Sequence, residues 1–433
     1  MKSIQVEPAG AALRGKITPP GDKSISHRAA FMGALSSEGI SVSNFSTGAD
    51  CASTLRCLGQ IGCRVLREGH RVSVHRGSER KETGGILDAG NSGTTARLLC
   101  GFLAGIPGLF SVITGDESLR KRPMARVVSP LRTMGARIDG PEGASSLPLS
   151  IRGTRLSGGT FSLTVASAQV KTALLLAGLN AQGSVTVVEP LQTRDHTEIM
   201  LRHLGVPVRS EAGAVTVYPC SDLPGGSWRI PGDFSSAAFW IVAATIAEGS
   251  DLVLEGVGAN PTRTGILKHL QEMGADLEWG SQSLAGGEQQ ADLKVHSAPL
   301  EAVAIGEKDI PIMVDELPVL AVAATQAKGV SRISGARELR FKETDRIRAM
   351  TEGLKKLGAK ILEHDDGWEI EGPVQLHGGT VDGCGDHRIA MALSIAALVA
   401  DGPVTVEGGG CVEISYPSFY DDLKTVTACG AAS

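Results

Sequence analysis

Aromatic side chains are scarce: three Tyr, four Trp and nine Phe make up 4% of the chain. Positive charge is not in excess either, for the net charge is −5. A nucleic-acid binder needs a basic field and stacking surfaces, so neither DNA nor RNA is the expected partner. The eight cysteines include no C-x-x-C pair and no His/Cys cluster with zinc spacing, which excludes a structural zinc site and points to reduced thiols. The apolar runs, such as IAMALSIAALVA (389–400), are too short to span a bilayer and read as buried helices. The opening MKSIQVEPAG carries neither an apolar run nor an Arg/Ser-rich composition, so a soluble protein of the cytoplasm is expected, with no membrane partner.

Glycine, in contrast, is abundant: 55 of 433 residues, too long a chain for one compact core. Many glycines punctuate a repeat. A helix-like segment ending in Gly and followed by a short strand recurs in LGQIGCRV, PLRTMGARI, LRHLGVPV, LQEMGADL, LKKLGAKI and LKTVTACGA. The glycines are Gly62, Gly135, Gly205, Gly274, Gly358 and Gly430, spaced by 73, 70, 69, 84 and 72. Glycine stops a helix because it enters the left-handed conformation without a Cβ penalty. A second helix type alternates with the first: HRAAFMGAL, TARLLCGFLAG, KTALLLAGLNA, SAAFWIVAATIA, LPVLAVAATQA and HRIAMALSIAALVA are small and apolar on nearly every face. Such helices are buried all round.

One unit of roughly 70 residues therefore reads strand, helix, strand, helix, strands. Six copies pack simply as an α/β fold of two domains, three units each, with buried helices surrounded by sheets. Two Pro/Gly-rich crossings, 17–24 and 228–236, lie three units apart and read as a double hinge. They divide the chain into 20–230 and, for the other domain, 1–19 with 231–433. Closure at such a hinge would expel water from a cleft between the domains.

The starts of the buried helices are polar: GDKSISHR (21–28), NSGTTAR (91–97), SAQVKT (167–172), GDFSSA (232–237), DELP (315–318) and GDHRIA (385–390). N-capping explains part of this, and all of it for Asp233 and Ser235. The rest exceed what a cap needs, and a helix start with free N–H groups and a positive dipole end suits phosphate or carboxylate. Lys23, Ser24 and Arg28 share one start, spaced to turn toward a common ligand; Ser167 and Gln169 offer uncharged donors; Asp386, His387 and Arg388 open another. Arg122 precedes Pro123, a residue favoured at the first helical position. Arg194 lies beside an Asp195–Glu198 capping box. Lys342 and Arg346 are four apart on one expected helix face, with Glu343 three before Arg346. Asp315 stands at the mouth of a buried helix as a candidate general base.

Taken together, GDKSISHR, NSGTT, LRKRPM, SAQVK, TRDHTE, DELPVLAVAA, RFKETDRI and GDHRIAMA resemble the 5-enolpyruvylshikimate-3-phosphate synthases, collinearly along essentially the whole chain. The variants resemble the bacterial branch often called class II. The resemblance implies an inside-out α/β barrel of two domains, each with three βαβαββ repeats. It implies transfer of the enolpyruvyl group of phosphoenolpyruvate to the 5-hydroxyl of shikimate 3-phosphate with release of phosphate, without metal or organic cofactor, by a monomer. By the family pattern Lys23, Ser24, Arg28, Ser167, Ala168, Gln169, Arg194, Asp315 and Lys342 contact the shikimate. Lys23, Gly93, Arg122, Gln169, Arg346 and Arg388 hold phosphoenolpyruvate. Asp315, Glu343 and Lys23 are the expected catalytic residues, the order of the carboxylates left open. Two departures stand out: Ile414 occupies a position where many members carry Lys, and Arg97 is followed by Leu98 rather than Pro. Gly93 leaves space beside phosphoenolpyruvate, so inhibition by its competitor glyphosate is expected. A UDP-N-acetylglucosamine enolpyruvyl transferase would carry a reactive Cys in 115–124, and none is present. An RNA 3′-phosphate cyclase is disfavoured by the charge and aromatic content. A non-catalytic anion binder would have no use for Asp315, Glu343, Lys342 and Arg346 together.

Overall fold

The computed structural model describes residues 2–78 and 85–431. Positions 1, 79–84 and 432–433 of the expected domains lie outside the described residues. The chain divides into two compact units, Gly21–Ile230 with Leu284–Glu288, and Met1–Pro20 with Pro231–Ser283 and Gln289–Ser433. Each is an α/β body with helices inside and three sheets outside.

In the Gly21–Ile230 unit one sheet pattern occurs three times. Ile86–Asp88 runs parallel to Phe110–Thr114, which is antiparallel to Leu149–Arg152, itself antiparallel to Arg137–Asp139. Gly159–Ser162, Val185–Val188, Ala214–Val217 and Val208–Glu211 repeat it. In the third sheet Ile40–Ser43, Arg71–His75 and Arg64–Glu68 receive Gly226–Arg229 as the parallel strand. The strand that opens the first repeat, Arg14–Ile17, pairs instead with Asp251–Gly258 in the other unit's sheet. The first and fourth repeats thus exchange their leading strands.

Helices Lys23–Leu35, Gly93–Ala104 and Ala168–Gly178 form the centre of this unit, and nearly every residue after their first turn is buried. Their small residues permit backbone contact. A Cβ on Gly101 would stand 1.9 Å from the Ala173 carbonyl oxygen, so a larger residue would force these two helices apart. Leu98, Leu99, Leu174 and Leu175 are wholly buried, each worth about 1.5–3 kcal/mol by area. The other helix type is one-sided: in Gly265–Glu272, Ile266, Leu267 and Leu270 are buried while Lys268 and Gln271 are exposed.

Five of the glycine stops, Gly62, Gly135, Gly205, Gly274 and Gly358, have φ between 75° and 102°. Gly430 does not end its helix, because Phe419–Ala431 runs through it. The place of the missing strands in that last sheet is taken by Ile4–Val6, antiparallel to Val404–Glu407. Leu284–Glu288 also departs from the sequence reading, which places it with 231–433. Glu288 is bonded to His196 at 2.7 Å, and Gly286 and Gly287 lie against Trp228 and against His203 and Ile199. Among the described residues no helix is long and apolar enough to cross a membrane, and no His/Cys/Asp/Glu group could hold a metal ion.

Candidate active site

The Gly21–Ile230 unit presents three polar helix starts. Asp22 caps the first, accepting from the Ile25 N–H at 2.9 Å, and thereby places Lys23 and Ser24 in the opening turn. The Lys23 ammonium donates to Asp50 at 3.0 Å, in the first turn of helix Ala49–Gln60. Arg28 points elsewhere. Its Nε donates to Thr197 Oγ1 at 2.8 Å and its Nη atoms to Thr172 Oγ1 at 2.9 Å and the Ser24 carbonyl at 2.8 Å. The structure gives Lys23 and Arg28 different protein partners. It brings Arg194 to Ser24, Nη1 to Oγ at 3.4 Å.

Ser92 caps the second start and Ser167 the third. The Gln169 amide joins them: its oxygen accepts from Arg97 at 2.8 Å and its nitrogen donates to Thr94 Oγ1 at 2.9 Å. Ser167, Ala168 and Gln169 are half-buried. A Cβ on Gly93 would lie 2.6 Å from Arg97 Nη1 and 3.4 Å from Arg122 Nη1. Arg122 donates to Asn91, side chain at 2.6 Å and carbonyl at 3.3 Å. The following helix begins later than expected: Met124 is the cap of Ala125–Thr133, so Pro123 lies ahead of the helix and not at its first position.

The expected Asp195–Glu198 capping box does not form. Asp195 occupies the cap of His196–His203 without a side-chain cap bond, and Glu198 is drawn inward to the buried Lys171 ammonium at 2.7 Å. Lys171 also pairs with Glu189 at 2.8 Å. Burial holds the Glu198 carboxyl above its ordinary range, against the opposing pull of Lys171.

In the other unit charged side chains gather at the starts of three helices, Leu317–Gln326, Arg346–Lys356 and His387–Ala397. Glu316 takes the cap position of Leu317–Gln326 and is fully buried, accepting from Ser235, which in turn accepts from Arg263 at 2.7 Å. Ser235 thus has this second partner besides its place at a helix start. Asp315, one residue earlier, is 16% exposed and accepts from Arg346 Nη1 at 3.2 Å, with Arg388 Nη2 at 3.6 Å. Arg388 also donates to the Asp315 carbonyl at 3.2 Å.

Arg346 is the hub. Only 1% exposed, it donates to Glu343 at 2.6 Å and from Nε to Asp386 at 2.8 Å besides Asp315. These carboxylates hold its guanidinium firmly charged despite burial. Asp386 is wholly buried and caps His387–Ala397, accepting from the Arg388 N–H at 2.9 Å. Lys342 and Arg346 do not share a helix face: Asp345 caps Arg346–Lys356, and Lys342 follows the 3-10 turn Arg337–Phe341. Burial lowers the Lys342 pKa, an effect Asp315 and Glu338 oppose. Ile414 ends the 3-10 turn Gly409–Ile414 and is half-buried.

Asp50, Asn91, Arg97 and the inward bond of Asp386 were absent from the sequence-derived site. Asn91 and Asp386 sit inside helix-start motifs, a usable signal, whereas nothing in the spacing ties Asp50 to Lys23.

A family model described as EPSP synthase (3-phosphoshikimate 1-carboxyvinyltransferase) matches residues 8–423. The 3-phosphoshikimate 1-carboxyvinyltransferase of Shouchella clausii is 48% identical over 96% of this chain and 97% of its own. That of Synechococcus sp. (strain JA-3-3Ab) is 47% identical over 97% and 96%. The solved EPSP synthase of Acinetobacter baumannii is 41% identical, covering 98% of both chains with a TM-score of 0.87. The enolpyruvyl transferase NikO of Streptomyces tendae, at 18% identity and a TM-score of 0.77 over 98% of this chain and 96% of its own, shares the fold.

Proposed function

The chain belongs to the EPSP synthase family, and on that premise we propose how its own residues divide the work. The reaction transfers the enolpyruvyl group of phosphoenolpyruvate to the 5-hydroxyl of shikimate 3-phosphate and releases phosphate, a step of the shikimate pathway. Both substrates carry a carboxylate and a phosphate, so several cations must hold them against their mutual repulsion. Lys23, Ser24, Arg28, Ser167, Ala168, Gln169, Arg194, Asp315 and Lys342 take the shikimate. Lys23, Gly93, Arg122, Gln169, Arg346 and Arg388 take phosphoenolpyruvate. The enzyme acts as a monomer in the cytoplasm.

One observation carries the assignment of proton transfer. Three carboxylates surround Arg346, yet Asp386 is fully buried as a helix cap while Asp315 and Glu343 keep 16% and 18% of their side chains open. Only open carboxylates can meet a substrate. Addition requires a proton to leave the 5-hydroxyl as its oxygen bonds to C2 of phosphoenolpyruvate, and a proton to reach the methylene carbon. Elimination then reverses the protonation at that carbon and expels phosphate, restoring the double bond. Asp315 and Glu343 handle these protons, and Lys23 offsets the developing charge.

Phosphate release measured with both substrates tests this reading. Asp315→Ala should be slower by about 10²–10⁴-fold, and a wild-type rate in that variant would overturn the catalytic assignment. Glyphosate should compete at the phosphoenolpyruvate position beside Gly93, where no Cβ crowds Arg97 and Arg122. Turnover untouched by millimolar-order glyphosate would refute that point, with Leu98, wholly buried in the same helix, the first residue to exchange.

A further inference from the structure

Between the 3-10 turn Arg337–Phe341 and the helix Arg346–Lys356 lies a four-residue connection, 342–345, that carries Lys342 and Glu343. A connection this short still has freedom to swing unless both its ends are fixed. Arg340 stands just before it. Its Nε donates to the Asp365 carbonyl at 2.7 Å, and its Nη2 to the His364 carbonyl at 2.7 Å and Glu363 at 3.0 Å. Its Nη1 crosses the connection to Asp345 Oδ2 at 2.7 Å.

Asp345 closes the other end. Its second oxygen, Oδ1, accepts from the Arg348 N–H at 3.1 Å and so caps the helix on which Arg346 is the first residue. One carboxylate therefore serves two tasks, with one oxygen for each. The turn that receives Arg340 is itself anchored: strands Lys360–His364 and Gly367–Gly372 pair up to His364 and Gly367. Asp366 in that turn accepts from the Gly335 N–H at 2.7 Å through its side chain and from the Ala336 N–H at 2.7 Å through its carbonyl. The hairpin turn thus fixes the entrance to the 3-10 turn, and Arg340 ties the exit of the connection to the same place.

We propose that Arg340 is a positioning residue for the reaction: by bridging Asp345 to the 363–365 turn it holds Lys342, Glu343 and the start of the Arg346 helix in register with one another. The proposal rests on the reading of Lys342 and Glu343 as site residues. A planar guanidinium fork directs its N–H groups in fixed geometry to the four acceptors here, two carboxylates and two carbonyls, more than the three protons of an ammonium can serve. Because Arg340 keeps 21% of its side chain exposed, its replacement creates no sealed cavity.

The test compares steady-state phosphate release for Arg340→Gln, Arg340→Lys, Glu363→Gln, Lys342→Met and Glu343→Gln, alongside thermal melting. Arg340→Gln should lower kcat about tenfold to a hundredfold, the scale of a misplaced catalytic group, while KM for both substrates stays near wild type. Arg340→Lys should not restore kcat. Glu363→Gln should keep it, because Asp345 and two carbonyls still hold the fork. A wild-type kcat in Arg340→Gln, or a loss seen only in melting temperature, would overturn the proposal. So would an equal loss in Glu363→Gln. If Lys342→Met and Glu343→Gln are slow but Arg340→Gln is not, the clamp alone fails. If those two turn over normally, the underlying site reading fails and takes the clamp with it.

Discussion

Lys171 and Arg346 each gather carboxylates around one cation, and the two clusters differ in their exposure. Lys171 sits between Glu189 and Glu198 with all three side chains at most 4% exposed. Arg346 sits among Asp315, Glu343 and Asp386, and two of those carboxylates stay partly open. The Lys171 cluster joins helix Ala168–Gly178, the end of strand Val185–Val188 and helix His196–His203. The connection between Glu189 and Glu198 carries Arg194, so the sealed cluster braces a residue proposed to take the shikimate. Openness, not composition, separates this brace from the carboxylates proposed to move protons. A sealed ion pair stores its importance in the penalty of breaking it, whereas an open carboxylate can exchange protons with a ligand.

Breaking each cluster should therefore give different losses. Glu343→Gln should cost about 10²–10⁴ in kcat with little change in melting temperature, measured by phosphate release and calorimetry. Lys171→Met should instead cost about 3–5 kcal/mol of stability, since it strands two buried carboxylates. Denaturant unfolding checks this, and a stable but inactive variant would erase the distinction drawn here. Smaller again is a pH effect. Burial raises the Glu198 pKa above its ordinary 4.5, so its contribution to stability is present below that value and is lost as pH rises through the folded one. Glu198→Gln has nothing to titrate. Its melting temperature relative to wild type should become more favourable as pH rises from about 4.5 through the raised folded pKa; the reverse trend would show that attraction to Lys171 outweighs burial. Gly93→Ala should have the mildest effect on stability, about 1–3 kcal/mol of crowding against Arg97, together with a raised KM for phosphoenolpyruvate in the steady-state assay.

Local rules were readable where a residue acts on its own backbone. Gly62, Gly135, Gly205, Gly274 and Gly358 all adopt the left-handed conformation that stops a helix, and Asp22, Ser92, Ser167 and Asp386 all cap the starts they open. The rule misled at Gly430, where the helix simply continues, and at Glu198, where a buried ammonium from another helix outcompetes a local cap. It also misled at Lys342, because Asp345 claims the cap and leaves Lys342 outside the helix. The partners of the site residues were harder still. Asp50 meets Lys23 from 27 residues away and Gln169 meets Arg97 from 72, and no periodicity encodes such distances.

The sequence by itself determined the repeat, the two kinds of helix and the polar helix starts, since each depends on interactions within a few residues of chain. Tertiary structure alone decided that Arg14–Ile17 and Gly226–Arg229 exchange sheets, and that Ile4–Val6 completes the last one. It alone decided which carboxylates around Arg346 remain open. Strand partners and side-chain exposure are set by packing between distant segments, where many pairings satisfy the same local pattern and burial selects one.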